Sequence, residues 1–202
     1  MALPNYPITL NDALELTKLK LNWDSLSYQV WTDNELIGYL KEGCLLISRI
    51  TGCVEKKLTQ TGLELGTFDG SVYSINYVEA VTSNDKSLNK IEPKMFNKVS
   101  NSVGKPEYYW YYANSLIILP KPADFNTLSF TIYYSKLSDD VSDFKNAYIP
   151  YIIAYAMDMA LTKDRRLDEA AKYASEYSSL LSIDPTQTKN MSDRKSEYRL
   201  KE

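Results

Sequence analysis

The chain has 202 residues, enough for one ordinary domain with its own hydrophobic core. It is 44% apolar and 24% charged, with a net charge of −3, a sequence pI of about 5.2 and no histidine. This composition is that of a folding chain. It argues against tight binding to a phosphate backbone, which needs clustered Lys/Arg, and it removes the commonest general base and the commonest zinc ligand.

No apolar run reaches the roughly 20 residues of a membrane span, so no membrane partner is expected. The opening MALPNYPITLNDALEL has no basic segment followed by an apolar core, and no signal peptide is expected. Thr9 or Asn11 can cap a short helix that carries Asp12 at its positive end. Trp23 and Trp31 bracket a polar connector. Thr32-Asp33-Asn34-Glu35 then has the spacing of a capping box. Leu36, Leu40, Cys44, Ile47 and Ile50 recur at helical intervals and Gly52 supplies a stop, which predicts a helix over 33–50.

From Val54 to Gly70, Thr, Gly and short alternations replace helical spacing. Residues 72–82, VYSINYVEAVT, read as a strand, with Tyr73, Ile75, Tyr77 and Glu79 on one face and Val72, Val78 and Ala80 on the other. Asn84-Asp85-Lys86-Ser87 reads as a polar turn. Leu88 to Met95 returns toward the core, with a short helical turn at 93–97 and a loop over 98–106.

Two strands are then predicted, roughly 107–119 and 127–135, facing each other across Pro120-Lys121-Pro122. The prolines lack amide donors and suit a turn, and Asp124 and Asn126 add turn chemistry. Ser138-Asp139-Asp140-Val141-Ser142-Asp143 reads as a solvated acidic linker with a helix cap. Pro150 fits a first helical turn. Ile149, Ile153, Ala156 and Ala160 form one stripe, and Leu167, Ala170, Ala171, Ala174, Tyr177 and Leu181 a second. A break is expected near Lys163–Arg165, with Asp164 as a cap, and Ile183-Asp184-Pro185 ends the helix. The polar tail 186–202 has few apolar anchors, and reads either as disordered or as an arm that orders on a partner chain.

The expected fold class is α+β. N- and C-terminal helices form a helical bundle, with a central antiparallel β-sheet or sandwich part and an extended C-terminal arm. A single domain is expected over 1–185, helical over 9–50 and 143–182 and β over 54–135, followed by the arm 186–202.

No G-x-G-x-x-G, P-loop, G-x-S-x-G or H-E-x-x-H occurs. The acid pairs Asp139-Asp140 and Asp168-Glu169 fit solvated surfaces, and Asp12, Asp33 and Asp143 fit caps. No catalytic, cofactor-binding or metal-ligating residue is assigned, no cofactor is expected, and the chain is not expected to be an enzyme. Cys44 and Cys53 are expected as two buried reduced thiols, with a disulfide as the alternative. Seventeen tyrosines suit surfaces that are half core and half interface. Within Tyr108-Tyr109-Trp110-Tyr111-Tyr112, strand alternation places Tyr108, Trp110 and Tyr112 on one face and Tyr109 and Tyr111 on the other, so the run cannot be one stacking platform.

In chain order, certain features carry a resemblance. Trp31 leads into Glu35-Leu36-Ile37-Gly38-Tyr39-Leu40, and a β region follows. Pro106-Glu107-Tyr108-Tyr109-Trp110, Leu116-Ile117-Ile118-Leu119, Pro120-Lys121-Pro122 and Thr131-Ile132-Tyr133-Tyr134 come next. Ile149-Pro150 through Ala160, then Asp168 to Tyr173 and Tyr177, close the set. Over roughly residues 30–182 the chain resembles the head-to-tail adaptor proteins of tailed bacteriophages. These are also called connector, ring or head-completion proteins, and include the tail-tube gatekeeper type of short-tailed phages. The resemblance implies a structural virion protein, made in the host cytoplasm and placed at the head–tail junction. Its implied partners are the portal protein, a tail or second ring protein, and copies of itself in a ring commonly of twelve. DNA would pass through the ring without sequence-specific binding. The rival reading is a β-rich module that binds carbohydrate or peptide through Tyr108, Trp110 and Tyr112.

Overall fold

A computed structural model describes residues 8–21, 30–61, 70, 73–99, 103–124 and 127–181. The readings placed on Trp23, Val72, Asn126, residues 183–185 and the tail 186–202 lie outside these residues, as does most of the stretch from 62 to 72. Five α-helices and two sheets are found among the described residues, so the protein is α+β. The chain divides into two compact units, one from Met1–Val54 and Ser138–Glu202, the other from Glu55–Leu137.

The first unit is helical. Helix α1 (Leu10–Lys20) starts at Thr9, whose hydroxyl accepts from the Asp12 amide while the Asp12 carboxylate accepts from the Thr9 amide at 2.9 Å. The Thr9 hydroxyl also donates to the Asp12 carboxylate at 2.7 Å, and this bond, with the one from the Thr9 amide, holds the Asp12 carboxyl below the usual carboxylate range. Helix α2 (Asp33–Thr51) repeats the device with Thr32 and Glu35 and ends at Gly52, whose φ of 62° is a left-handed conformation that glycine adopts without cost. Leu36, Leu40, Cys44 and Ile47 are fully buried, as their spacing predicts.

Helix α4 (Ile149–Lys163) carries Pro150 in its first turn and is buried on nearly every side through Ile149, Ile152, Ile153, Ala154, Ala156, Met157, Ala160 and Leu161. It packs against α1, α2 and α5 (Leu167–Leu181), so it is the central helix of this unit. Gly43 lets α2 come close to it. A Cβ there would lie 3.2 Å from the Ile152 carbonyl oxygen and 3.2 Å from Tyr155 Cδ1. Trp31, 1% exposed, donates from Nε1 to the Ala160 carbonyl at 2.8 Å and so ties the entry of α2 to the far end of α4. Lys163 pairs with Glu35 at the same end, and Lys18 on α1 pairs with Asp33 on α2 at 2.8 Å.

Helix α4 ends at Asp164, and Arg165, with φ 59°, makes the break expected near Lys163–Arg165. The apolar stripe on α5 departs from the sequence reading. Ala170 is buried and Tyr173, Ala174 and Tyr177 are half-buried, but Leu167 is 62% exposed and Ala171 is also exposed. A helix packed along one neighbour covers a narrower face than a six-residue stripe spans.

The acidic linker is more structured than a solvated loop. Asp140 caps a 3₁₀ turn at Val141–Asp143, Val141 is fully buried, and the Ser138 hydroxyl donates to Asp143 at 2.6 Å. Asp139 and Asp140 themselves are exposed, as expected. A second 3₁₀ turn, Asn146–Tyr148, leads into α4.

The second unit is a pair of sheets. One has strand order β1-β7-β2-β3, from β1 (Glu55–Thr61), β7 (Ser129–Lys136), β2 (Ile75–Ser83) and β3 (Lys86–Ser87). All its pairings are antiparallel, and Glu55 lies opposite Ser135. The other has order β4-β5-β6, from β4 (Asn89–Lys90), β5 (Tyr108–Tyr112) and β6 (Ser115–Leu119), with β4 parallel to β5. Helix α3 (Pro93–Val99) links β4 to β5. The core between the sheets holds Ile75, Val78, Val81, Phe130, Ile132 and Tyr134 from the first and Tyr109, Leu116 and Ile118 from the second.

Three sequence expectations are corrected in this unit. The stretch 107–119 is a hairpin of its own, not one strand. It turns at Ala113 and Asn114, both at positive φ (48° and 62°), which is the geometry of a two-residue hairpin loop. Its strands do not pair with 127–135, because β7 belongs to the other sheet. Pro120-Lys121-Pro122 is therefore the crossover from one sheet to the other, and not a hairpin tip. The turn after β2 is also tighter than expected, with Asn84 and Asp85 alone at positive φ and Ser83 opposite Lys86.

The third correction concerns the faces of β2. Ile75, Val78 and Val81 are buried together, whereas strict alternation puts Ile75 and Val78 on opposite faces. The register against β7 shifts twice, between Ile75 and Tyr77 and between Val78 and Ala80. Each shift inserts one extra residue, so the inward spacing grows from two residues to three.

Replacing Trp31 with Ala is expected to cost about 3–5 kcal/mol, read as a lower urea midpoint by far-ultraviolet circular dichroism. An unchanged midpoint would contradict the role given to Trp31.

Candidate functional site

The aromatic run of β5 is split as strand alternation requires. Tyr109 is 1% exposed, and its hydroxyl donates at 3.0 Å to the carbonyl of Glu79, the extra residue of the second β2 irregularity. Tyr111 packs against the same core. On the other face, Tyr108 and Trp110 are half-buried and Tyr112 is 64% exposed. Their register partners on β6 are Leu119, Ile117 and Ser115.

Trp110 meets two rings. It stacks on Tyr112 with centroids 5.2 Å apart and planes 18° apart. On α3, Phe96 meets it at 4.5 Å with planes tilted by 53°. These distances are those of favourable aromatic pairs. The result is a ridge, Phe96–Trp110–Tyr112, with Met95 (41% exposed) beside Phe96 in the chain. The sequence places Tyr108, Trp110 and Tyr112 together. It does not reveal Phe96, which only the return of α3 brings to Trp110.

Trp110 is thus engaged by two neighbouring rings, and Tyr112 is the member of the ridge most open to solvent.

Cys44 and Cys53 are both buried and reduced. Burial, with Asp139 and Asp140 nearby, pushes the Cys44 thiol up to about 12, so it is an inert core residue. Glu35 is held below its usual range, chiefly by Lys163. Among the described residues, no group of three or more Cys, Asp or Glu side chains is arranged to hold a metal, and no helix is long and apolar enough to cross a membrane. No protein-family model matches the chain, and no curated protein matches it significantly.

Three tyrosines are pushed up to about 12: Tyr77 and Tyr109 by burial and the nearby Glu79, and Tyr177 by burial and its hydroxyl bond to Asp158 at 2.8 Å. Unfolded tyrosines ionise near 10. Above that pH the unfolded chain binds fewer protons than the folded one, so stability falls as pH rises through the window from 10 to 12. An alkaline titration of phenolate absorbance should show a late-ionising group of tyrosines in the native protein that becomes normal in denaturant. Tyr109→Phe should lose about 1–2 kcal/mol, because the Glu79 carbonyl loses its donor. Tyr112→Phe should stay within about 0.5 kcal/mol of the parent. Equal effects would remove the distinction between the two faces of β5.

Proposed function

We propose that this chain is a structural virion protein that forms a ring, of twelve copies, at the head–tail junction of a tailed bacteriophage. It joins the portal to the tail and extends the DNA channel. The observation that carries this reading is the Phe96–Trp110–Tyr112 ridge, a packed and partly exposed aromatic surface of the kind that anchors contacts between protein chains. The order of parts supports it as well: helices from both ends of the chain in one unit, and a β unit between them that carries the ridge. The net charge of −3 limits adhesion of DNA phosphates to a channel wall.

Ring building joins unlike faces of neighbouring copies, so each copy needs at least two separate contact surfaces. The ridge supplies one of them. The chain acts by assembly and carries no catalytic step.

Size-exclusion chromatography and electron microscopy of the purified protein mixed with its portal test the proposal. A ring, or a ring seated on the portal, is the expected result, and failure to form either would sink it. A monomer in isolation decides nothing, since such a ring can require the portal as its template. Trp110→Ala is expected to weaken assembly by about tenfold or more while the protein stays folded.

A module that binds carbohydrate or peptide is the second reading, favoured by the exposure of Tyr112 beside Trp110. Binding on a glycan or peptide array that Trp110→Ala abolishes without unfolding would replace the first reading with this one.

A further inference from the structure

Helix α5 has one covered side and one exposed face. Ala170, Tyr173, Ala174 and Tyr177 take the covered side. Leu167, Ala171, Ser175 and Ser178 recur at intervals of three and four residues, so they share the other face, and all four are exposed. The Ser175 hydroxyl donates to the Lys172 carbonyl at 2.7 Å, and the Ser178 hydroxyl to the Ser175 carbonyl at 3.2 Å. Both hydroxyls are thus turned onto the helix itself. What the face offers outward is one leucine and a run of small side chains, over which a large ring can lie close to the backbone.

The Phe96–Trp110–Tyr112 ridge has the complementary shape and charge. It is a row of large rings, with Tyr112 and the neighbouring Met95 exposed. Helix α3 carries Lys94 and Lys98 and no acidic residue, whereas α5 opens with Asp168 and Glu169 beside Leu167. Lys94 is already paired with Glu92, and Glu169 with Arg166. Lys98 and Asp168 are both exposed, and neither forms an ion pair among the described residues. A contact of ridge against ridge would bring the α3 lysines of two copies together, which like charge disfavours. A face of small side chains beside an unpaired acid suits the ridge better, and α5 carries both.

We propose that the ridge of one copy packs on the Leu167–Ala171–Ser175 face of α5 in a second copy, with Lys98 facing Asp168 across the contact. The inference rests on the ring reading above and supplies the second contact surface which that reading requires. The ridge belongs to the β unit and α5 to the helical unit, so the contact joins unlike faces and can repeat from copy to copy.

Sedimentation velocity of the full chain, alone and with its portal, tests the contact. Ala171→Arg, at an exposed position, should weaken association of the copies about tenfold or more, as Trp110→Ala does. Mixed in equal amounts, these two variants should stop at a dimer, because the mixture keeps one intact ridge and one intact α5 face per pair. Lys98→Glu should weaken association severalfold, and Asp168→Lys in the same chain should restore it. Melting curves check that each variant stays folded. Assembly of Ala171→Arg like the parent, or a mixture that forms no dimer where the parent self-associates, overturns the contact and leaves the ring reading standing. A dimer of the parent that survives Ala171→Arg but not Trp110→Ala sets ridge against ridge and overturns it as well. A parent chain that associates neither with itself nor on the portal removes both readings.

Discussion

In each unit of this protein, a large aromatic side chain is buried on the condition that its one polar atom reaches a main-chain carbonyl of another element. Trp31 meets the condition through Ala160, and Tyr109 meets it through Glu79. An indole or phenol left without a partner in a dry core would lose much of what its apolar area contributes. The requirement therefore fixes positions as well as energies. Helix α2 must begin where α4 ends, and β5 must cross β2 where β2 departs from regular pairing. The carbonyl that Tyr109 uses is on offer because an irregular strand leaves its extra residue outside the ladder.

The consequences spread from these two bonds. With Trp31 fixed at the end of α4, Glu35 lies within reach of Lys163, and Asp33 within reach of Lys18. With Tyr109 held inward, alternation forces Trp110 and Tyr112 outward, where α3 supplies Phe96 to cover one side of the indole. The exposed ridge is thus a by-product of how the inner face of β5 is satisfied. That is why the packing of a single buried tyrosine bears on a surface proposed to meet other chains.

Much of this was legible in the sequence where the signal is local. Thr32 and Glu35, three residues apart, announce the start of α2, and Gly52 its end. Pro150 marks the first turn of α4. The division of Tyr108–Tyr112 between two faces follows from strand geometry alone. The failures have one physical origin, in that long-range pairing cannot be read from spacing. Nothing in Ile75, Val78 and Val81 says that β7 will impose two shifts on their strand. Ala113-Asn114 is a weak turn signal beside two prolines, so the prolines were given the turn that the alanine and asparagine make. Leu167 and Ala171 fall on a plausible stripe, but α5 packs along only part of it. Phe96 joins the ridge through a fold-level return that no local pattern encodes.

The pairing of Glu55 with Ser135 has a further consequence. The chain leaves the helical unit at Val54 and rejoins it at Ser138, and on the β side these crossings are neighbours across a strand pair, about 5 Å apart. The β unit is in effect an insertion whose two ends emerge side by side. A helical bundle that holds such an insert needs only to accommodate a gap the width of a tight turn. What hangs from that gap could be lengthened, trimmed or exchanged without pulling the flanking helices apart. Sequence drift in the β unit and in the bundle can therefore proceed at separate rates, each constrained by its own packing.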